Sequence, residues 1–391
     1  MYIDYSSDER ALRDRLRTYL AELVDDEVLA EVAGTEGGGP AYTRVLRRLG
    51  ADGWLGVGWP REFGGQARPA IEQFIFFDEV QRAGFPIPFL TLCTVGPTLM
   101  KYGSDEQKAA MLPRILRGEL HFAIGYSEPG AGTDLAALTT RAVRDGDHYV
   151  VNGQKVFTSL AEYADYVWLA VRTDPDAPRH KGISILMVDR RAPGVTITPI
   201  HTLGGNRTNV TYLEDVRVPV TMRVARENEG WRLITTQLNH ERVALMAPGP
   251  VARFVEETCA WARQTRTADG RRVIEAPWVQ QALARATATI EALRLMAWRQ
   301  AQHVDQDRLD PAESSTVKVF GSEGFVRIYQ QLLEVLGAPG LLKAGSPGAL
   351  LRGRIETYYR TTLVLTFGGG TNEIQRDIIA QLGLGMPRAP R

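Results

Sequence analysis

Residues 139–157, TTRAVRDGDHYVVNGQKVF, decide the fold. β-branched and aromatic residues alternate with polar ones here, and Asp145-Gly146 and Asn152-Gly153 are dipeptides of the hairpin-turn kind. The segments on either side of it in the middle third are of the same type: HFAIGYSE, DYVWLAVRTD, GISILMVDR, GVTITPI and NVTYLEDVRVP. They predict an antiparallel β domain. Outside it the period changes to that of helices. SSDERALRDRLRTYLAEL carries Leu12, Leu16, Tyr19, Leu20 and Leu23 at helical spacing behind a serine cap, and SDEQKAAMLPRILRG repeats the type behind Ser104. Helical periodicity returns after Gly230 and lasts nearly to the end, in segments whose lengths suit a bundle. The order is helices, β domain, helices, an α+β arrangement. The expected domains are 1–118, 119–226 and 227–391.

The chain has 391 residues, enough for two or three domains, and 46 basic against 46 acidic residues. Such a balance gives no global pull toward nucleic acid or an anionic membrane. Two cysteines fit a reducing cytoplasm rather than a disulfide framework. The N-terminus lacks the apolar core of a signal peptide, and no segment approaches a membrane span. A cytoplasmic location is therefore expected. The histidines show no metal-ligand spacing, so no metal is expected. Ser127 lacks a G-x-S-x-G context, which argues against a hydrolase nucleophile.

Two features can carry chemistry. Glu241 shares a helical stripe with Ile234, Leu238 and Leu245, which places an acid on an apolar face. Desolvation there raises a carboxyl pKa and suits a general base; a buried ion pair with an arginine is the alternative. The stretch IGYSEPGAGTDL, residues 124–135, follows a strand and offers N–H and O–H donors, Ser127 and Thr133 among them, on a tight loop. Such donors suit a neutral heterocycle or a pyrophosphate, and an ordinary turn is the alternative. Tyr126, Phe157, Tyr163 and Trp168 could flank a flat ring. In LTFGGGTNEIQRD, residues 365–377, three consecutive glycines match neither G-x-G-x-x-G nor a Walker loop. A tight turn and a ligand loop both remain open.

With GYSEPGAGTDLAAL, VVNGQKVFTS, ADYVWLAVRTD, KGISILMVD, LEDVRVP, NEGWRLITTQLNHER and GGGTNEIQRDIIAQLGLGMPR in this order, the chain resembles the acyl-CoA dehydrogenases over essentially its whole length. GWP, LNHERVAL, SPGALLRGRIE and FGGGTNEIQRD resemble the actinobacterial enzymes that shorten sterol side chains. The resemblance implies an N-terminal helical domain, a central β barrel, a C-terminal four-helix bundle and FAD between the last two. It implies α,β-desaturation of an acyl-CoA, with electrons leaving to an electron-transfer flavoprotein.

In most of the family the residue before the closing Gly-Thr is the catalytic glutamate, and here it is Gly369. A minority carries the base in an -ER- pair, which is Glu241 here. Gly369 is then expected to offer a backbone N–H and room for a bulky acyl group. Tyr126, Ser127, Thr133, Phe157, Ser159, Thr371 and Glu373 fall at flavin-contacting positions, and Thr133, Asn239 and Arg242 at substrate-contacting ones. The segments that hold a neighbour's adenosine in homomeric members depart from the pattern. Arg266 is kept, but Asp269, Glu334 and Ala338 replace a phenylalanine, a glutamine and a glycine. An acid near a pyrophosphate repels it. The implied assembly is an α2β2 heterotetramer with a homologous subunit. A catalytically inactive scaffold and an acyl-CoA oxidase are the other readings.

Overall fold

The computed structural model describes residues 4–236, 246–306 and 308–388. α1 (Ser7–Leu23) starts in a capping box: the Glu9 N–H donates to Ser6 Oγ and the Ser6 N–H to the Glu9 carboxylate. Leu12, Leu16 and Leu20, one face of α1, are buried against α4 (Ala70–Ala83), which also buries Phe74, Phe76 and Phe77. α2 (Asp26–Glu31), α3 (Pro40–Ala51), α5 (Gly96–Tyr102) and α6 (Asp105–Leu116) complete this unit, and Ser104 with Gln107 repeats the capping box on α6.

The central sheet comprises β1 (Phe122–Gly125), β2 (Arg141–Asp145), β3 (His148–Val156), β4 (Tyr166–Arg172), β5 (Ile183–Asp189), β6 (Val195–His201), β7 (Arg207–Pro219) and β8 (Arg223–Val224). Its order is β6-β7-β3-β2-β4-β5-β8. Side chains of β2, β3, β4, β5 and β7 share one core of Ala142, Tyr149, Val151, Val167, Leu186 and Val216, so the sheet curls around its own interior like a barrel.

Two expectations are corrected. The sheet is mixed, because β1 and β2 lie end to end along one edge of β4 and both run parallel to it. The return of the chain through the loop after β1 imposes that direction. Asp145-Gly146 does turn a hairpin, with Gly146 at φ +60°, but Asn152-Gly153 lies inside β3. There the pairing with β7 slips at Gly153, a bulge at φ +146° where a Cβ would stand 2.6 Å from Thr140 Oγ1. Asn152 instead bonds Asp215 twice across the bulge, at 2.9 and 3.0 Å.

Residues 230–236 are helical and are labelled α7. α8 (Gly249–Gln264), α9 (Pro277–Asp305), α10 (Pro311–Leu336), α11 (Arg354–Thr362) and α12 (Asn372–Ile378) follow, and α10 packs on each of the other four. α4 packs on α8 and α9, where the Gly249 N–H donates to the buried Asp78 Oδ1 at 2.6 Å. No helix among the described residues is long and apolar enough to cross a membrane.

Candidate functional site

The loop after β1 is held from beneath. Lys155, which period-2 alternation points inward with Tyr149 and Val151, donates from Nζ to Glu128 Oε1 at 2.7 Å and to the Tyr126 carbonyl at 3.2 Å. Glu128 also accepts from the Thr139 N–H and Oγ1 and from the Thr140 N–H, at 2.6, 2.8 and 2.9 Å. Burial works against its charge, but the Lys155 ammonium and these hydrogen bonds overcome it and hold the carboxyl at about 2. Closing both ends of the loop this way leaves Ser127 and Thr133 facing outward. A Cβ on Gly130 or Gly132 would meet open space. Tyr126 is half-buried, and its hydroxyl accepts from Trp168 Nε1 at 3.2 Å. Trp168 itself has no exposed surface and stands edge-on to Phe122, so it is a core residue and not a ring-flanking one.

Between β3 and β4 the backbone is strained. Phe157 and Leu160 have φ of +59° and +66°, a region that β-carbon-bearing residues rarely occupy, and the Phe157 ring is 65 % exposed. The ring is thus held out of the core at a backbone cost and is a candidate ligand surface. The segment is fixed by Asn209, whose carbonyl accepts from the Thr158 N–H and whose amide donates to the Thr158 carbonyl, both at 3.0 Å. The buried Thr158 Oγ1 has no hydrogen-bond partner among the described residues.

The glycine turn is bare and rigid. Gly369 and Gly370 have φ of +68° and +93°. Lys318, buried on α10, donates to the Gly370 carbonyl and to Asn372 Oδ1, each at 2.7 Å. Thr371 caps α12, accepting from the Ile374 N–H at 3.3 Å. Glu373, in the first turn, is held below the usual carboxylate range by the backbone N–H groups and by Thr371.

The tip between β6 and β7 brings the two segments together. Arg360 Nη1 donates to the Leu203 carbonyl and Thr361 Oγ1 to the Gly204 carbonyl, the latter at 3.0 Å. Five residues on from Leu203, Thr208 Oγ1 lies 3.3 Å from Ser159 Oγ. Residues 203–208 therefore bridge the Phe157 loop to α11, from whose end the chain runs into the glycine turn. Asn239, Glu241 and Arg242 lie outside the described residues; Ile234, the first member of the Glu241 stripe, is buried.

The 265–273 segment is a small hairpin in which Arg266 Nη1 donates to the Gly270 carbonyl at 2.5 Å. Asp269 is occupied by Thr267 and by Arg271, whose Nη2 stands 2.6 Å from Oδ2, so its charge is offset within the hairpin. Glu334 and Ala338 are exposed at the end of α10 and just beyond. Glu128, Lys155 and Lys318 escaped the sequence reading. Lys155 and Lys318 stand on inward positions of their strand and helix periods, which was the available signal, whereas Glu128 lies in the loop after β1 and gave none. No cluster of metal-ligating side chains occurs among the described residues.

The exposed Phe157, the outward Ser127 and Thr133 on a pinned loop and the bare glycine turn are the candidate site. Family models for the N-terminal, middle and C-terminal domains of acyl-CoA dehydrogenase match residues 6–119, 123–216 and 228–384. The chain belongs to the acyl-CoA dehydrogenase family, whose members generally bind FAD. Acyl-CoA dehydrogenases FadE26 and FadE29 of Mycobacterium tuberculosis are 53 % and 48 % identical to it over the whole of both chains. A chain of the ChsE4-ChsE5 complex from the same organism superposes with a TM-score of 0.93 at 54 % identity, again over all of both chains. The Tcur3481-Tcur3483 steroid ACAD gives 0.94 at 51 %, with the same coverage.

Proposed function

We propose that the chain is an FAD-dependent acyl-CoA dehydrogenase subunit that desaturates a CoA thioester at its α,β bond to the trans-2-enoyl-CoA, with a sterol-derived acyl group. The observation that carries this reading is the exposed, left-handed Phe157 tied through residues 203–208 to the segment leading into the glycine turn. The donor set fits a flavin. Phe157 and Ser159 would meet the ring, Tyr126 and Ser127 its polar edge, and Thr133, Thr371 and Glu373 the ribityl-phosphate and adenosine side. A bound flavin supplies the acceptor for the β-hydride.

Glu241 is the base in this reading and removes the α-proton, with Asn239 and Arg242 beside the substrate. A glycine at 369 leaves a backbone N–H to meet the thioester oxygen, which makes that proton more acidic. It also leaves side-chain volume free, and the steroid dehydrogenase likeness supports a bulky acyl group in that space. The likeness to a two-component complex supports a homologous partner subunit in an α2β2 heterotetramer. Within that assembly the departures at Asp269, Glu334 and Ala338 leave the partner to complete the adenosine half-site. The Arg271 pairing weakens the repulsion part of that argument and leaves the loss of the aromatic and the amide. Domain limits of 1–118, 119–226 and 227–391, a cytoplasmic location and an electron-transfer flavoprotein as acceptor complete the proposal.

The test is to purify the chain alone and with a homologous chain, measure flavin content, and assay sterol, branched and straight-chain CoA thioesters with a flavoprotein acceptor. Flavin only in the pair, turnover of the sterol thioester, and a loss of about 10²–10⁴-fold in Glu241→Gln are expected. Turnover of straight chains alone refutes the sterol assignment, and undiminished turnover in Glu241→Gln removes the base.

A further inference from the structure

The connection between α2 and α3 reads AGTEGGGP over residues 33–40 and belongs to neither domain's core. Gly37, Gly38 and Gly39 have φ of +139°, +94° and +104°. A Cβ on Gly38 would stand 2.3 Å from the Tyr163 ring, and one on Gly34 would stand 3.0 Å from the Gly205 carbonyl oxygen. The glycines thus let this loop of the helical domain lie flat against the β3–β4 segment and the β6–β7 tip. The carboxylate it carries there is Glu36.

Ser159 Oγ has two acceptors in reach, Glu36 Oε1 at 3.2 Å and Thr208 Oγ1 at 3.3 Å; its one proton goes to the nearer carboxyl oxygen, and Thr208, itself a hydroxyl, can donate in return. Ser159 sits between the two left-handed residues Phe157 and Leu160. Burial, with a smaller contribution from the nearby Glu162, holds the Glu36 carboxyl above its usual range, and the bond from Ser159 offsets part of that rise. The serine proton is therefore the main support for a charge at this position.

We propose that Glu36 is a positioning residue for the cofactor face: it accepts the hydrogen bond of the Ser159 hydroxyl and leaves Ser159 Oγ an acceptor toward the site. The inference rests on the reading of Ser159 as flavin-facing. A hydroxyl has one proton to give, and once that proton is committed the oxygen can receive an N–H but cannot donate. An isoalloxazine ring gains N–H donors on two-electron reduction. An acceptor-only serine thus favours the reduced ring, and the ratio of affinities for the two redox states shifts the midpoint potential. The Glu36 charge acts oppositely through space, because it resists electron uptake. The two effects are separable, since the hydrogen-bond route passes through Ser159 and the direct one does not.

The experiment is a double-mutant cycle on the flavin-loaded complex of this chain with its partner, comparing wild type, Glu36→Leu, Ser159→Ala and the double variant. The readouts are the midpoint potential, from anaerobic titration against a reference dye, and the FAD Kd of deflavinated protein. Ser159→Ala is expected to lower the reduced-over-oxidised affinity ratio about fivefold. The effect of Glu36→Leu is expected to differ by a similar factor, about fivefold, between the wild-type background and the Ser159→Ala background. Glu36→Gln, whose amide oxygen still accepts the proton, should retain the effect of Ser159→Ala. Should Glu36→Leu fail to assemble, Glu36→Ala in the same cycle removes the acceptor without added bulk. An identical Glu36→Leu effect in both backgrounds overturns the Glu36 inference alone. No change of the ratio in Ser159→Ala overturns the flavin-facing reading, and the inference with it.

Discussion

The Lys318 ammonium lies 2.7 Å from the Gly370 carbonyl oxygen and 2.7 Å from Asn372 Oδ1. A cation from the first third of α10 thus fastens the turn that follows α11 to the start of α12. Lys318→Met keeps an unbranched side chain one atom shorter and removes the charge-assisted bonds. It leaves the buried Asn372 amide oxygen with Ser322 Oγ as its remaining donor and the exposed Gly370 carbonyl to water, and the expected loss is about 1–2 kcal/mol in chemical denaturation. A variant as stable as wild type would show that the turn does not depend on the lysine.

Gly153 gives a second stability test. Its φ of +146° and the 2.6 Å approach of a would-be Cβ to Thr140 Oγ1 leave no room for a side chain. Gly153→Ala is expected to cost about 2 kcal/mol or more, read by thermal or urea unfolding. Gly146→Ala meets no atom within 4 Å and carries only the φ +60° penalty, so it should cost about 1 kcal/mol. The reverse ranking would place the turn, and not the bulge, at Asn152-Gly153.

That contrast shows how much the sequence could tell. Asp145-Gly146 and Asn152-Gly153 look alike as dipeptides, and what separates them is the contact of Gly153 with Thr140, thirteen residues away. The helical thirds were legible because Leu12, Leu16 and Leu20 repeat on one face and serines cap α1 and α6. The parallel pairing of β1 and β2 with β4 was not, because strand direction depends on where the intervening loop returns. The motif made Phe157 a candidate site residue but carried no sign of its positive φ. Glu36 was invisible, since its meeting with Ser159 spans 123 residues.

Two carboxyls set opposite pH dependences. Glu128 falls from 4.5 to about 2 on folding, so its stabilisation is full above about 4.5 and is lost as the pH falls toward 2. Asp78 is raised from 3.8 to about 6, chiefly by burial and then by Glu79, so the folded state holds its proton more tightly. Its contribution is present below 3.8 and is lost as the pH rises through 6. Asp78→Asn should therefore gain about 2 kcal/mol relative to wild type between pH 4 and pH 7.5 in urea unfolding. Glu128→Gln should flatten the loss of stability below pH 4.5. A pH-independent difference for Asp78→Asn would mean that Asp78 is ionised at no unusual cost.

Phe157 separates stability from function within one side chain. Its left-handed φ of +59° costs about 1–2 kcal/mol, and a ring 65 % exposed recovers little of that through packing. Glycine at this position removes the strain but adds unfolded-state entropy worth about 0.5–1 kcal/mol. Phe157→Gly should therefore leave the flavin-free protein within about 1 kcal/mol of wild type in urea unfolding. The same change should weaken FAD binding about tenfold, because the lost aromatic face is worth roughly 1 kcal/mol beyond its buried area. Retained flavin affinity, followed by quenching of flavin fluorescence, would assign the strained phenylalanine to a different surface. A fall of several kcal/mol in the stability of the flavin-free protein would instead make Phe157 a structural residue whose packing the exposed ring conceals.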